Sequence, residues 1–335
     1  MGLGTQNIPA SKEIRAPTTS GKIGLPQTIF RYVLRISGWH QPVLVVLTVA
    51  IFLLEVVPLE LQRRIVNDLV KERNYHLVVM LCAVYAGIVI VQGGIKLVLN
   101  VYRGWLGECA VRDLRHRIRA LAGAPLAKHS ALETNGIEIS MIVAEVEPIG
   151  GFVGGSISEP LLQGGVLLST VAYMIHVEPW MALTALLLFT PQLVFVPLLQ
   201  RAINRRTMAR IRMLREVSAG ILAPGGQLDG GSSDDARIDH IFAVDMGIFR
   251  FRFTLHFLMN LCNHIQIVAI LLLGGWYVHT DQLAIGGVVA FISAVGRLKD
   301  PWSELIDYFR DLSATQVKFR LMTDIIGQLE KGKER

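Results

Sequence analysis

Cysteine is too scarce in this sequence to support a disulfide framework or a thiolate metal site. Only three cysteines occur, Cys82, Cys109 and Cys262, and no two of them lie close enough in sequence to form a metal or redox motif. An odd number without a recurring spacing argues against disulfide stapling. We therefore interpret the cysteines as small apolar residues in or near helices.

Charged residues are also few. They make up 18% of the 335 residues, against roughly 25% in an ordinary soluble domain. Apolar residues reach 52%, and they collect in long runs instead of spreading evenly. The enzyme fingerprints G-x-S-x-G, H-E-x-x-H and G-x-G-x-x-G do not occur in the sequence. These absences disfavour a soluble enzyme, and the apolar runs indicate a membrane protein.

The two terminal segments resemble motifs only superficially. Residues 1–24 contain no apolar stretch of the signal-peptide type, and we interpret them as a flexible cytoplasmic tail. The ending GQLEKGKER fits the P-loop spacing G-x-x-x-x-G-K, but Glu334 stands where Ser or Thr must bind Mg²⁺. An amphipathic helix precedes it where a P-loop needs a strand. We predict that this helix stops at Gly327 and that 326–335 is a cytoplasmic tail.

Long apolar stretches predict an all-α membrane protein, because about 20 apolar residues suffice to cross a bilayer. Six spans are predicted, at 42–62, 77–101, 149–175, 177–200, 255–278 and 283–303. The last span has the shortest apolar run, which ends before Arg297. Taken alone, that run could instead be a re-entrant or buried segment.

The distribution of basic residues predicts the orientation, because cytoplasmic loops carry the excess of Lys and Arg. Four alternate segments hold 28 of the 33 basic residues, and the short connections IHVEP and HTDQ hold none. We therefore expect a protein of the cell's inner membrane with both termini in the cytoplasm. The segment 62–73 is an exception, with four basic residues on the outer side. Because the clusters follow apolar spans and lack interleaved aromatics, we expect no nucleic-acid partner.

The connections predicted to lie inside are about 45–50 residues long and have a helical pattern. The sequence YRGWLGECAVRDLRHRIRALAG continues the second span without proline, and RAINRRTMARIRMLREVSAGIL continues the fourth. Twenty additional helical residues extend a helix by roughly 30 Å. We therefore predict long cytoplasmic extensions, which suggest a partner well below the membrane.

These features together resemble the transmembrane domain of type I ABC exporters, over about residues 27–325. An amphipathic elbow, LPQTIFRYVLRISGW at 25–39, precedes the first span. The segment LRHRIRALAGAPLAKHSALETNGIEISMIVAEVEPIGGFVG follows the order of the family's first inside connection. The segment DQLAIGGVVAFISAVGRLKDPWSELIDYFRDLSATQVKFRLMTDII is the closest match, with a short outer turn, a Pro after the apolar run and an amphipathic exit helix.

The resemblance implies a six-helix domain at 40–325 that pairs with a second transmembrane subunit as a domain-swapped homo- or heterodimer. It implies that short coupling segments rest on a separate ATPase subunit, which would bind ATP and Mg²⁺, whereas this chain would hold no cofactor. The first coupling segment would contain Pro125, Lys128, Asn135, Gly136 and Glu138. The second would lie near 229–247, where Pro and Gly in APGGQLDGGSSDDARID depart from the family's continuous helix.

Polar side chains inside the predicted spans are costly, and they usually face a cavity or one another. Six of them are candidates for a solute path: Glu55, Gln92, Lys96, Glu159, Gln266 and Arg297. The alternative for each is an interhelical hydrogen bond or a position at the lipid headgroups. No residue is a candidate for catalysis or metal binding.

Three functions are compatible with the sequence. The first is a membrane-spanning permease subunit of an ABC transporter, driven by ATPase domains on another chain. The second is a proton-coupled transporter on the same fold, in which Glu55 or Glu159 would carry the proton. The third is a membrane scaffold that does not transport.

Overall fold

The computed structural model of the chain describes Pro26 and residues 28–71, 75–122, 146–222 and 232–333. Within these ranges the chain is helical and has no strand. In chain order, the helices are α1 Ile29–Ser37, α2 His40–Leu54, α3 Val57–Lys71, α4 Tyr75–Ala122, α5 at 146–155, α6 Ser158–Val177, α7 Pro179–Leu222, α8 Ser232–His279, α9 Ile285–Gly296 and α10 Lys299–Lys333.

Five helical segments in the described ranges are long and apolar enough to cross a membrane. They are His40–Val70, Tyr75–Arg117, Ser158–Val177, Pro179–Arg210 and Asp239–His279. They indicate an all-α, multi-pass integral membrane protein, as the composition predicts. The sixth predicted span corresponds to α9 and the start of α10. Alone, the 12 residues of α9 extend about 18 Å, less than the roughly 30 Å of a bilayer core.

Three helices are much longer than a membrane crossing requires. Helices α4 and α8 have 48 residues each and α7 has 44, which correspond to about 72 Å and 66 Å at 1.5 Å per residue. The prediction that the second and fourth spans continue without interruption is confirmed. Helix α7 continues even through Pro191 and Pro197.

Prolines divide the first, third and sixth predicted spans. Pro58, Pro160 and Pro301 each lack the N–H that would bond the carbonyl four residues earlier. Helices α2, α5 and α9 end at the residue four positions before the proline or one residue earlier. The third predicted span, 149–175, is therefore the end of α5 followed by α6, with a turn at 156–157 between them.

Two further helix boundaries, the end of α10 and the start of α8, also differ from the prediction. Helix α10 passes through Gly327 and continues to Lys333, so the predicted helix stop at Gly327 is wrong. One glycine inside a helix costs only about 1 kcal/mol relative to alanine, and the residues around it are mostly good helix formers. Helix α8 begins at Ser232, inside the segment predicted to interrupt the second cytoplasmic connection.

The chain divides into two compact units. The smaller unit consists of Met1–Gly38, Leu106–Val153 and Ala314–Arg335. Its apolar core is built around α1, the predicted elbow, whose Ile29, Tyr32 and Val33 are almost fully buried. They pack against residues of α4, α5 and α10, namely Ala110, Val111, Leu114, Val146, Ile149, Val153, Phe319 and Met322.

The larger unit consists of Trp39–Trp105 and Gly154–Ser313. In it, α7 packs along α8, while α2 packs on α6 and α3 on α9. The first span therefore changes its neighbour where it is broken. The central apolar cluster of the larger unit joins four helices through Leu59, Met181, Ile270 and Phe291. By contrast, α4 exposes most of its apolar side chains in the single chain, as expected for a helix that contacts lipid or another subunit.

Candidate functional site

A polar cluster lies where the break between α2 and α3 meets the break between α9 and α10. Because Pro58 lacks an N–H, the chain turns at Glu55 and Val56, and the amide of Leu59 bonds the Val56 carbonyl at 3.1 Å. That leaves the carbonyl of Glu55 without its ordinary helical partner. Such a carbonyl is expensive inside an apolar segment unless another donor reaches it.

Arg297 is that donor. It stands at the C-terminal end of α9, where Pro301 prevents the helix from continuing. Its Nη1 atom donates to the backbone carbonyl of Glu55 at 2.8 Å and lies 3.4 Å from the Glu55 carboxylate. Both side chains are about one quarter exposed. One guanidinium therefore caps the end of a broken helix and balances the charge of its last acidic side chain.

Gln92 completes the cluster from a third helix. Its Nε2 donates to the other carboxylate oxygen of Glu55, so that α4 is connected to the junctions of α2–α3 and α9–α10. Both Glu55 and Arg297 lie at the far ends of their helices. Glu55 is about 22 Å along α2 from its first residue, His40, and Arg297 is about 18 Å along α9 from its first residue, Ile285. We call these residues, Glu55, Gln92 and Arg297, the Glu55 cluster. Three of the six candidate path residues are thus in direct contact.

The third break has a cap of a different kind. Pro160 frees the carbonyl of Ser156, and the hydroxyl of Tyr308 in α10 donates to it at 2.6 Å. Glu159 lies one residue after the start of α6, where the positive end of the helix dipole favours an acidic side chain. Its carboxylate forms an ion pair with Arg103 of α4 and accepts a hydrogen bond from Gln163.

The two remaining candidate path residues have different environments. Gln266 is 1% exposed, and its Nε2 donates to the carbonyl of Ala185 at 3.0 Å. This is the interhelical hydrogen bond between α8 and α7 that the sequence left open as an alternative to a solute path. Lys96 is exposed on α4. It forms no ion pair with any residue in the described ranges.

A second charged group, which the sequence analysis did not single out, lies on α3. Glu60 accepts from Arg63 at 2.8 Å and Arg64 at 2.9 Å, and the hydroxyl of Tyr173 donates to it at 3.2 Å. The spacing of three and four residues was a readable signal for these pairs. Because Glu60 balances part of their charge, it helps to explain why the segment 62–73 can be basic on the predicted outer side.

Asn67 holds the start of α9 against α3. No side chain of the local sequence caps α9, but the Oδ1 atom of Asn67 accepts the backbone N–H of Gly286 at 2.8 Å. The helices approach so closely that a Cβ atom on Gly286 would lie 2.1 Å from the Arg63 carbonyl oxygen. Helix α3 thus binds α9 at its start, and the Glu55 cluster binds it at its end.

The predicted ATPase-coupling residues cannot be placed in the same way. Pro125, Lys128, Asn135, Gly136 and Glu138 lie outside the described residues. The second predicted segment, 229–247, is described from Ser232 onward, where it forms the beginning of α8.

The fold and the site define a class, that of multi-pass membrane proteins with broken helices joined by partly buried polar contacts. Comparison with known proteins adds no narrower assignment, since no protein-family model and no curated protein matches the chain.

Proposed function

We propose that the chain is the membrane-spanning permease domain of an exporter-type ABC transporter. It would cross the inner membrane six times with both termini in the cytoplasm, and it would pair with a second such subunit. Nucleotide-binding domains docked on its cytoplasmic extensions would bind ATP and Mg²⁺. The proposal rests on the resemblance of the sequence motifs and on one structural observation, the packed α7–α8 pair.

Helices α7 and α8 remain in contact well beyond their most apolar parts. Arg210 forms an ion pair with Asp245 at 2.7 Å, and the guanidinium of Arg206 lies 4.4 Å from the ring centroid of Phe251. Together with the apolar cluster that includes Ile203 and Leu255, these contacts join the two helices as one extension. A braced helix pair of this kind can transmit a movement from a cytoplasmic domain to the membrane.

The test is isolation of the affinity-tagged chain from native membranes in a mild detergent, followed by photolabelling with azido-ATP. We expect a labelled nucleotide-binding protein to co-purify with the tagged chain and not with an unrelated tagged membrane protein. A labelled domain on a longer form of the chain itself would also agree with the proposal. Recovery of folded chain without any ATP-labelled polypeptide would contradict it.

A second candidate function is favoured by the Glu55 cluster. Helices broken near the middle of their apolar segments, with a charged pair at the break, are typical of ion-coupled transporters. In that case Glu55 would exchange a proton as its contacts to Arg297 and Gln92 open and close. An outward solute flux that ATP drives and that survives a protonophore would favour the ABC transporter. A flux that follows an imposed pH gradient and disappears in Glu55→Gln would favour proton coupling.

A further inference from the structure

A cavity of about 520 Å³ lies between α7, α8 and α10, within the larger unit. Its volume falls within the roughly 300–1,000 Å³ that is typical of small-molecule sites. Helix α8 lines it with Arg252, Leu255 and His256, which the helical repeat places on one face. Helix α10 lines it with Lys299 and Asp307, which are eight residues apart and share a face for the same reason.

One part of this cavity is apolar. Val196 and Ile203 from α7 and Leu255 from α8 line it, and each of the three is less than 8% exposed. They belong to the apolar cluster that holds α7 and α8 together, so their positions are fixed by packing. A ligand with an apolar portion would therefore meet a preformed surface.

The other part of the cavity is lined by two cationic side chains, those of Arg252 and Lys299. Neither Arg252 nor Lys299 forms an ion pair with any residue in the described parts of the chain. Lys299 is the first residue of α10, where the positive end of the helix dipole adds to its own charge. Among the described residues, the acidic member of the lining is Asp307, which is itself paired with Arg310 at 2.7 Å.

We propose that this cavity binds an amphiphilic anion, a molecule with a phosphate or carboxylate headgroup and an apolar tail. The headgroup would compensate Arg252 and Lys299, and the tail would cover Val196, Ile203 and Leu255. A small soluble anion would leave the apolar part unused, and a cationic amphiphile would add a third positive charge. That this anion is the transported solute rests on the proposed function. That the cavity binds it does not.

The test is native mass spectrometry of the purified full chain in neutral dodecyl maltoside micelles, titrated with dodecyl phosphate. Dodecyltrimethylammonium has the same tail with the opposite charge, and inorganic phosphate has the charge without the tail. We expect dodecyl phosphate to bind at least about tenfold more tightly than either of these two probes, because only it satisfies both parts of the cavity.

Variants locate the binding in the cavity. Arg252→Gln and Lys299→Gln should each weaken dodecyl phosphate binding by about tenfold, because each removes a charge-assisted contact. Arg250→Gln is the matched control, since Arg250 is on the same helix but lines a different surface groove with Met246 and Phe249. Its affinity should stay within about twofold of the unsubstituted chain. The double substitution of Arg252→Glu and Lys299→Glu should reverse the preference toward dodecyltrimethylammonium, an outcome that misfolding cannot produce.

Three results would each overturn the inference. They are equal binding of dodecyltrimethylammonium and dodecyl phosphate, undiminished binding in both glutamine variants, and inorganic phosphate binding as tightly as dodecyl phosphate. Because the measurement needs neither ATP nor a partner, an absent ATPase would leave it unaffected. Conversely, failure of the chain to bind dodecyl phosphate would leave the proposed ATPase partnership standing.

Discussion

Arg297 caps a helix that is distant from it in sequence, because its Nη1 donates to the backbone carbonyl of Glu55 at 2.8 Å. The same guanidinium lies 3.4 Å from the Glu55 carboxylate. Two proline-induced helix breaks therefore share one cation. An interaction that satisfies a freed carbonyl and a partly buried charge at once should contribute more to stability than an ion pair on the surface.

The first prediction concerns this shared cation. Arg297→Ala should lower the free energy of unfolding by about 2–3 kcal/mol, because it leaves the partly buried Glu55 carboxylate and the Glu55 carbonyl without their cationic donor. Adding Glu55→Gln should restore part of that loss by removing the unbalanced charge. The measurement is thermal unfolding in detergent, arranged as a double-mutant cycle.

Arg310→Ala is the control for this cycle. Arg310 pairs with Asp307 and Asp311 on the same helix, and its side chain is 44% exposed. Its removal should change stability by less than about 1 kcal/mol. If Arg297→Ala were no more destabilising than Arg310→Ala, the capping role of Arg297 would be refuted.

The second prediction concerns the break before α6. Tyr308→Phe should destabilise the protein by about 1–2 kcal/mol, because it removes the hydroxyl that donates to the Ser156 carbonyl at 2.6 Å. Tyr277→Phe is the matched control, since the Tyr277 hydroxyl has no hydrogen-bond partner among the described residues. Equal melting temperatures for the two phenylalanine variants would rule out the proposed cap.

The sequence predicts the long helices well because their signal is local. An apolar run that passes into a mixed helical pattern without a break, as in α4 and in α7 up to Leu222, is visible in one stretch of residues. The spacing of Glu60, Arg63 and Arg64 is equally local, although its significance was missed. Features of this kind depend on neighbours in the chain and can be predicted from them.

The Glu55 cluster could be predicted only in part. Glu55, Gln92 and Arg297 were each recognisable as polar residues in apolar surroundings, but nothing in the sequence pairs residues 242 positions apart. Their contact requires that the α2–α3 break and the α9–α10 break lie side by side. Each break depends on a proline, and a proline does not always end a helix. Pro58 and Pro301 end helices, whereas Pro191 and Pro197 lie within the continuous α7. Tertiary contacts decide which freed carbonyl finds a donor.

The third prediction concerns the close approach of α3 and α9. Gly286→Ala should destabilise the protein by about 1–3 kcal/mol, because its Cβ would lie 2.1 Å from the Arg63 carbonyl oxygen and 2.6 Å from Asn67 Oδ1. Gly275→Ala is the control, because a Cβ there meets nothing within 4 Å. The control should be neutral or slightly stabilising, since alanine favours a helix. A Gly286→Ala protein as stable as the Gly275→Ala protein would show that α9 can shift without cost.

The last prediction is a pH dependence in the smaller unit. The hydroxyl of Tyr32 in α1 lies 3.3 Å from the Ala110 carbonyl and 3.2 Å from the Asp113 carboxylate. Burial is the main cause that raises the pKa of Tyr32 well above its ordinary value, and the charge of Asp113 raises it further. Folding therefore favours the protonated phenol. The stability that this group contributes is fully present below the pKa of Tyr32 in the unfolded chain, about 10.

As the pH rises above about 10, unfolded chains lose the Tyr32 proton while folded chains retain it, so the free energy of unfolding must decrease. Tyr32→Phe should lower stability by about 1–2 kcal/mol at neutral pH and make the alkaline decrease less steep. The measurement is the unfolding midpoint of both proteins between pH values of about 8 and 11. Tyr277→Phe, which leaves the Tyr32 contacts intact, should retain the full alkaline decrease. If Tyr32→Phe lost stability as steeply as the unsubstituted chain, the titration would have to be assigned to other residues.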